Sequence, residues 1–294
     1  MSSIPELAHI RSELIARFRL DQLPFHQRAL RLDELVGLEG RHALVTGGGG
    51  SGLGQACCHR LAAMGASVAV FDHDADAAQR VADQVAQQWG ANTVALVGSV
   101  DSWDDAHRVV DATVQAVGGL DILVNNAGGL FGSQFGPFAA LSKRSVDSLI
   151  GRNLLGTMFC THAALEVMIP AGVGRIINIA SEGAKAPMRD LGLYNACKAG
   201  VVAFTRDLAH EVSELGISTV AVCPGVMMSA GLLQVLQKPD ATAAIGTIER
   251  GFDMATIGRP ALPEEVANVV AFLASEAGAY VHGTAVSVGG GLSD

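Results

Sequence analysis

From residue 42 onward the chain alternates short apolar runs with longer amphipathic stretches. The runs cover 42–46, 67–71, 93–97, 120–124, 175–180, 217–223 and 284–288. Each is apolar almost throughout rather than at every second position, the pattern of strands buried on both faces of a parallel sheet. Segments 54–64, 75–89, 104–117 and 195–215 instead carry apolar residues at helical spacing. Repeated strand–helix alternation predicts right-handed βαβ units. The expected fold is therefore α/β: one doubly wound domain over 41–294, with a parallel sheet of about seven strands and helices on both faces.

Two segments break this rhythm. Within residues 1–40, Ser3-Ile4-Pro5-Glu6 reads as a capping box with proline inside the first turn. Leu7, Ile10, Leu14 and Phe18 follow on one face, so an N-terminal helical extension is expected, lying either on its own domain or on a neighbouring subunit. Residues 226–258, rich in methionine and small side chains, follow a predicted strand, a common place for a substrate lid.

Composition narrows the function. With 49% hydrophobic and 17% charged side chains in 294 residues, a disordered chain is excluded. No apolar run approaches the roughly 18–20 residues of a spanning helix. A formal net charge of −9 leaves no basic face for nucleic acid or an anionic membrane. Cys57, Cys58, Cys160, Cys197 and Cys223 make an odd set without C-x-x-C spacing, which fits neither a disulfide framework nor a zinc site. Free thiols in a reducing compartment, and no metal, are expected. Arg11, Arg17 and Arg19 are interspersed with Glu6, Glu13 and Asp21, unlike a secretory or transit signal, so a cytoplasmic location is expected.

Thr46-Gly47-Gly48-Gly49-Gly50-Ser51-Gly52-Leu53-Gly54 joins the first predicted strand to the first helix. Without Cβ atoms such a backbone can approach a pyrophosphate, which then faces the helix N-terminal N–H groups. The same composition suits a flexible linker, but the strand before it and the helix after it favour the phosphate cradle. Asp72 ends the second strand 20 residues after Gly52. A carboxylate there accepts hydrogen bonds from ribose hydroxyls, and it would repel a 2′-phosphate about 5 Å away by about 3 kcal/mol per unit charge at an effective dielectric near 20. Residues 47–54 contain no lysine or arginine, and His73 follows Asp72, so NAD(H) is expected over NADP(H). The alternative is an Asp72 that merely caps the helix beginning near Asp74.

Tyr194-Asn195-Ala196-Cys197-Lys198 sets a phenol and an ammonium four residues apart on one helical face. A free phenol titrates too high for efficient proton exchange at neutrality. An ammonium about 4 Å away would favour phenolate by roughly 4 kcal/mol, near 3 pK units, bringing the phenol near pH 7. The alternative is an ordinary helix-surface pair.

Gly47, Gly52 and Gly54, Asn125-Asn126-Ala127-Gly128, Ser181, Tyr194-x-x-x-Lys198 and Pro224-Gly225 resemble the short-chain dehydrogenase/reductase superfamily in order and spacing. The resemblance spans about 38–294 and extends to Gly258-Arg259-Pro260 and Gly289-Gly290. It implies a Rossmann domain and hydride transfer between a secondary alcohol or ketone and NAD(H). By that resemblance Ser181 hydrogen-bonds the substrate oxygen, and Tyr194 is the general acid/base. Lys198 holds the cofactor and depresses the tyrosine pKa, while Asn153 positions a relay water. It further implies a cofactor contact set of Gly47, Ser51, Gly52, Leu53, Gly54, Asp72, Ser99, Val100, Asn126, Ala127, Gly128, Tyr194, Lys198, Pro224, Gly225 and Ser229. Candidate substrate contacts are Gly129, Leu130, Met188, Leu191, Met227 and Met228, mostly apolar. Arg189 is either a partner for a substrate anion or a solvated arginine. A homotetramer is the family expectation.

Four departures stand out. The glycine loop is one residue longer than usual (Gly48–Ser51 intervene), Ser99 replaces an adenine-binding Asp, Ser229 replaces a Thr, and the N-terminal extension is long. An NADPH-dependent 3-oxoacyl-thioester reductase is the competing enzyme class, opposed by Asp72 and the acidic charge. A non-catalytic nucleotide-binding scaffold is the competing non-enzyme.

Overall fold

The computed structural model describes residues 15–17, 31–130, 136–186, 188–229 and 255–291. The chain divides into two compact units, Met1–Leu35 and Val36–Asp294. In the first, residues 15–17 are helical; the apolar positions Leu7, Ile10, Leu14 and Phe18 lie outside the described residues, as do 230–254 of the expected lid.

The second unit holds seven strands: β1 (His42–Thr46), β2 (Ser67–Asp72), β3 (Thr93–Val97), β4 (Ile122–Asn125), β5 (Gly174–Ile179), β6 (Ile217–Pro224) and β7 (Ala285–Val288). All pair in parallel, in the order β3-β2-β1-β4-β5-β6-β7. The main helices are α1 (Leu53–Ala63), α2 (Ala75–Trp89), α3 (Trp103–Val117), α4 (Lys143–Ile150), α5 (Gly156–Ala171), α6 (Gly192–Val212) and α7 (Pro263–Ala274). Alternate strand residues feed two cores. Val45, Val70, Val124, Ile177 and Val222 pack with α1, α2 and α7; Leu44, Ala69, Leu123 and Ile176 pack with α3, α5 and α6. Full burial of each such Val, Leu or Ile stabilises the fold by about 1.5–3 kcal/mol, which is why the strands tolerate no polar face.

Local chemistry sets the helix ends. Asp74 and Ser102 accept from the N–H groups of Ala77 and Asp105 to cap α2 and α3. Gly90 and Gly118 close the same helices at φ 66° and 101°, a left-handed conformation that favours glycine. Pro263 opens α7, and Glu265 accepts from the Leu262 N–H at 2.8 Å. Arg259 grips the same carboxylate at 2.6 and 2.7 Å, and this pairing holds Glu265 down to about 2. The Gly258-Arg259-Pro260 segment thus anchors the start of α7.

The helical stretch Lys143–Ala171 is long and apolar enough to cross a bilayer by length and composition. It is interrupted by a π-helical turn, Gly151–Leu155, and buries Cys160, Ala163, Ala164 and Met168 in the core shared with α3 and α6. Of its most apolar window 39% is buried inside the domain, and Leu155 and Ile169 remain exposed. Because the chain leaves β3 for the other side of β1, the strand order reverses between β1 and β4. The carboxyl ends of those two strands open a crevice, the place where such sheets hold ligands.

Candidate active site

The glycine loop leaves β1 at this crevice. Gly48 N–H donates to the Phe71 carbonyl at 3.0 Å, tying the loop to β2. Gly47 has φ 66°, and a Cβ there would lie 2.9 Å from Ala127 Cα; one on Gly54 would lie 2.0 Å from the Gly47 oxygen. Gly50 and Ser51, by contrast, are exposed, and a Cβ on Gly50 would meet nothing nearer than 3.6 Å. The extra residue is therefore taken up in an outward bulge at Gly50–Ser51, closed by a 2.9 Å bond from Gly52 N–H to the Gly50 carbonyl.

The N-terminus of α1 differs from those of α2 and α3. Its cap is Gly52, with no side-chain hydrogen bond and no acidic residue in the first turn, whereas α2 and α3 carry both. N–H groups left without a capping oxygen suit an anion. Asp72, 7% exposed, accepts from Gly49 N–H at 3.0 Å and Asp74 N–H at 3.2 Å, and pairs with His73 at 2.8 Å. It does not cap α2, since Asp74 does. A pyrophosphate on the loop with a ribose beside Asp72 is compatible with these donors and acceptors. Sequence reading missed a cation here: Arg80 Nη2 donates to the Gly49 carbonyl at 3.3 Å, reaching back across 31 residues of chain.

Thr46, also not singled out by its sequence context, locks the crevice. Its hydroxyl accepts from Asn126 N–H at 3.0 Å and Ala127 N–H at 2.9 Å, and Asn126 Nδ2 returns a 3.0 Å bond to the Thr46 carbonyl. Asn125 serves the interior instead: its Nδ2 donates to Thr161 Oγ1 and Asn178 Oδ1, both at 2.9 Å. Ser99, beyond β3, donates its hydroxyl to Asp101, and the neighbouring Val100 packs on Gly156 at the start of α5.

On the far side of the crevice, Ser181 follows β5, and its Oγ accepts from Gly183 N–H at 3.1 Å. Tyr194, on the first turn of α6, lies beside Ser181. Lys198, 3% exposed, donates to the Ile179 carbonyl at 2.8 Å; its Nζ lies 5.8 Å from the Tyr194 ring centroid. The ammonium is thus turned toward β5, and the phenol does not receive the close charge expected from the helical spacing. Burial raises the Tyr194 pKa, with the Ser181 side chain pulling it down. Burial lowers Lys198 to about 8. Both shifts have one cause, the loss of water around a group that must carry charge.

Asn153 sits in the π-helical turn, fully buried. Its Oδ1 accepts from Gly129 N–H at 2.7 Å, and its Nδ2 donates to the Gly129 and Leu149 carbonyls at 3.1 Å. A Cβ on Gly128 (φ 142°) would stand 2.6 Å from Asn153 Oδ1 and 3.6 Å from Lys198 Nζ, so this glycine sits between the two side chains. Glu182, directly after Ser181, is 1% exposed; neither of its carboxylate oxygens has a hydrogen-bond partner among the described residues. An acid between Ser181 and Gly183 was the available signal for it.

Pro224 and Gly225 end β6, where Gly225 N–H donates to the Val288 carbonyl, and Ser229 approaches Gly52. Of the expected substrate contacts, Gly129, Leu130, Met188 and Met228 are half-buried at this end of the sheet, whereas Leu191 is buried. Met227 packs on the apolar core. Arg189 is exposed, 3.9 Å from the Asp190 carboxylate. A separate cleft of about 650 Å³ lies at the opposite end of β4–β6. Its charges are paired among themselves, Arg41 with Asp121 and Arg175 with Glu276, and it contains none of these residues.

A family profile described as short chain dehydrogenase matches residues 41–239. The short chain dehydrogenase/reductase astE of Aspergillus oryzae is 33% identical over 89% of this chain and 98% of its own. The 3-oxoacyl-[acyl-carrier-protein] reductase FabG of Aquifex aeolicus is 31% identical over 87% and 99%. A solved structure of 7α-hydroxysteroid dehydrogenase complexed with NADH and 7-oxo glycochenodeoxycholic acid has a TM-score of 0.79 at 28% identity, covering 89% of this chain and 98% of that one. Seven parallel strands, a glycine loop at the switch point and a serine facing a tyrosine on the next helix agree with those matches: the chain belongs to the short-chain dehydrogenase family, oxidoreductases that act on small molecules with a nicotinamide cofactor.

Proposed function

We propose that this protein is an NAD(H)-dependent oxidoreductase that interconverts a secondary alcohol and a ketone. The observation that carries the reading is Tyr194 beside Ser181, with Lys198 buried one turn further along α6. A nicotinamide cofactor held by the glycine loop and Lys198 would supply hydride chemistry at the carbonyl or carbinol carbon. Tyr194 gives the proton to the substrate oxygen in reduction and removes it in oxidation. Ser181 holds that oxygen through its hydroxyl. Lys198, held on the Ile179 carbonyl, binds the cofactor. Asn153 and Gly129 hold each other, fixing the floor between α4 and β4.

The glycine loop, Asp72, Ser99, Val100, Asn126, Ala127, Gly128, Pro224, Gly225 and Ser229 are the cofactor contacts in this reading. Asp72 favours NAD(H), since its two oxygens already hold the ribose side of the loop with negative charge. The substrate is small and largely apolar, and the five buried free thiols suit a cytoplasmic protein. A homotetramer completes the proposal.

A second reading, an NADPH-dependent 3-oxoacyl-thioester reductase, draws on Arg80 beside Gly49 and on the similarity to the Aquifex aeolicus reductase. Steady-state rates over a panel of ketones, secondary alcohols and 3-oxoacyl thioesters, each with NADH and NADPH, separate the two. Turnover of simple ketones with a preference for NADH is the expected result. Preference for NADPH with thioesters would replace the first reading by the second. Tight NADH binding without turnover of any substrate would leave a nucleotide-binding scaffold.

A further inference from the structure

Away from the crevice, His107 on α3 and His162 and Glu166 on α5 converge on one point of the surface. His107 Nε2 lies 3.3 Å from His162 Nδ1 and 3.6 Å from Glu166 Oε2, and His162 Nδ1 lies 4.0 Å from Glu166 Oε1. A tetrahedral ion with bonds of about 2.0–2.1 Å needs ligand atoms about 3.3 Å apart. The two imidazole nitrogens stand at that value, while Glu166 meets them through different carboxylate oxygens; with one ligand atom per residue all three lie within 4.8 Å of one another, so closing on an ion requires a turn of the Glu166 side chain.

The orientation of His107 is set from behind. Its Nδ1 lies 2.8 Å from the Trp103 carbonyl, a group that only accepts, so the proton is on Nδ1 and the Nε2 lone pair faces the cluster. Hydrogen bonding of the second ring nitrogen to a backbone carbonyl is the usual arrangement for a metal-bound histidine. His162 and Glu166 are one helical turn apart and point the same way. The Trp103 ring lies 4.5 Å from both imidazoles and packs edge-on against Phe159, holding the two rings at this spacing. Electron pairs from three side chains thus meet at one point of the surface.

We propose that His107, His162 and Glu166 bind a zinc-class divalent ion that clips α3 to α5. Two imidazoles and one carboxylate select Zn²⁺, Ni²⁺, Co²⁺ or Cu²⁺ over Mg²⁺ and Ca²⁺, which require oxygen ligands. Three protein ligands leave a fourth position for water. The cluster contains no cysteine, which is why cysteine spacing gave no sign of it.

The test uses the full-length, untagged protein stripped of metal with a chelator and titrated with ZnCl₂ by calorimetry. One zinc per chain should bind, and the melting temperature should rise with zinc. His107→Gln and His162→Gln should each weaken binding at least about tenfold, and Glu166→Gln should weaken it less. His162 and Glu166 are exposed and His107 is half-buried, so the His162 and Glu166 variants should melt like the parent without metal. In a Trp89→Phe background, CuCl₂ should quench Trp103 fluorescence; Trp103→Phe should abolish the quench yet keep the zinc stoichiometry. Failure to bind zinc would overturn the proposal and leave an imidazole pair sharing a proton. So would binding unaltered in all three ligand variants, which would place the ion on other residues.

Discussion

Lys198 carries the sharpest electrostatic consequence of the site. Burial lowers its pKa from 10.5 to about 8, so between those pH values the unfolded chain binds a proton that the folded chain does not. The Lys198 contribution to stability then rises with pH across that window, by on the order of 3 kcal/mol, against the opposite contribution of the five buried thiols, whose pKa values burial raises. Lys198→Met should be the more stable protein at pH 7, with its advantage shrinking toward pH 10; urea unfolding of both proteins at the two pH values checks this. The chemistry divides differently. Tyr194→Phe removes only the hydroxyl, so turnover should fall by about 10²–10⁴-fold while cofactor affinity, read by fluorescence titration, stays within about twofold. Lys198→Ala should lose both affinity and rate, and equal losses of affinity in the two variants would contradict the division. At Asp72, substitution by serine removes the charge expected to oppose a 2′-phosphate and leaves Arg80 near the loop. A repulsion of about 3 kcal/mol corresponds to roughly 10² in the NADPH-to-NADH ratio of kcat/KM. An unchanged ratio in steady-state assays would show that Asp72 does not choose the cofactor.

The glycine loop shows how one element can combine rigid and permissive positions. Gly54→Ala would drive a methyl to 2.0 Å from the Gly47 oxygen, and Gly49→Ala to 2.7 Å from the Ala78 nitrogen, both backbone atoms. Gly50→Ala meets open space. The first two substitutions should abolish cofactor binding and lower the melting temperature, whereas the third should keep both near the parent values; calorimetry with and without NADH measures each. The difference between Gly49 and Gly50 was hidden in a run of four identical residues, because glycine letters do not say which Cβ has room. The strands were legible for the opposite reason. Burial on both faces forces Val, Leu and Ile at consecutive positions, as in Leu44-Val45 and Leu123-Val124, and that survives in the sequence. The π-helical turn around Asn153 was not legible, since one extra residue in a turn changes hydrogen bonding but not composition. Arg80 and Thr46 escaped notice because their partners, Gly49 and Asn126, lie 31 and 80 residues away. The Tyr194–Lys198 spacing was read correctly as one face of a helix, but spacing alone could not reveal that Ile179 captures the ammonium.

For the molecule as a whole, the division at Val36 raises the question of what the N-terminal stretch does. The domain begins to bury its own chain at Leu38, which is 2% exposed, joins the core beneath α1 and α2, and donates from its N–H to the Met64 carbonyl at 2.6 Å. Deleting residues 1–35 leaves that anchor in place, whereas deleting 1–40 removes it. Loss of a buried leucine costs about 2–4 kcal/mol, and each kcal/mol lowers the melting temperature of a domain this size by about 2–4 °C. The shorter deletion should therefore melt within about 2 °C of the full chain and keep its turnover, while the longer one should melt clearly lower. Scanning calorimetry gives the first comparison, and sedimentation of the shorter deletion gives a second. If the melting temperature holds but the proposed oligomer dissociates, the apolar face expected from the spacing of Leu7, Ile10, Leu14 and Phe18 belongs to a subunit contact. A large fall in melting temperature with assembly unchanged would instead place that face on its own domain, because only an intramolecular contact can be lost without altering how subunits meet.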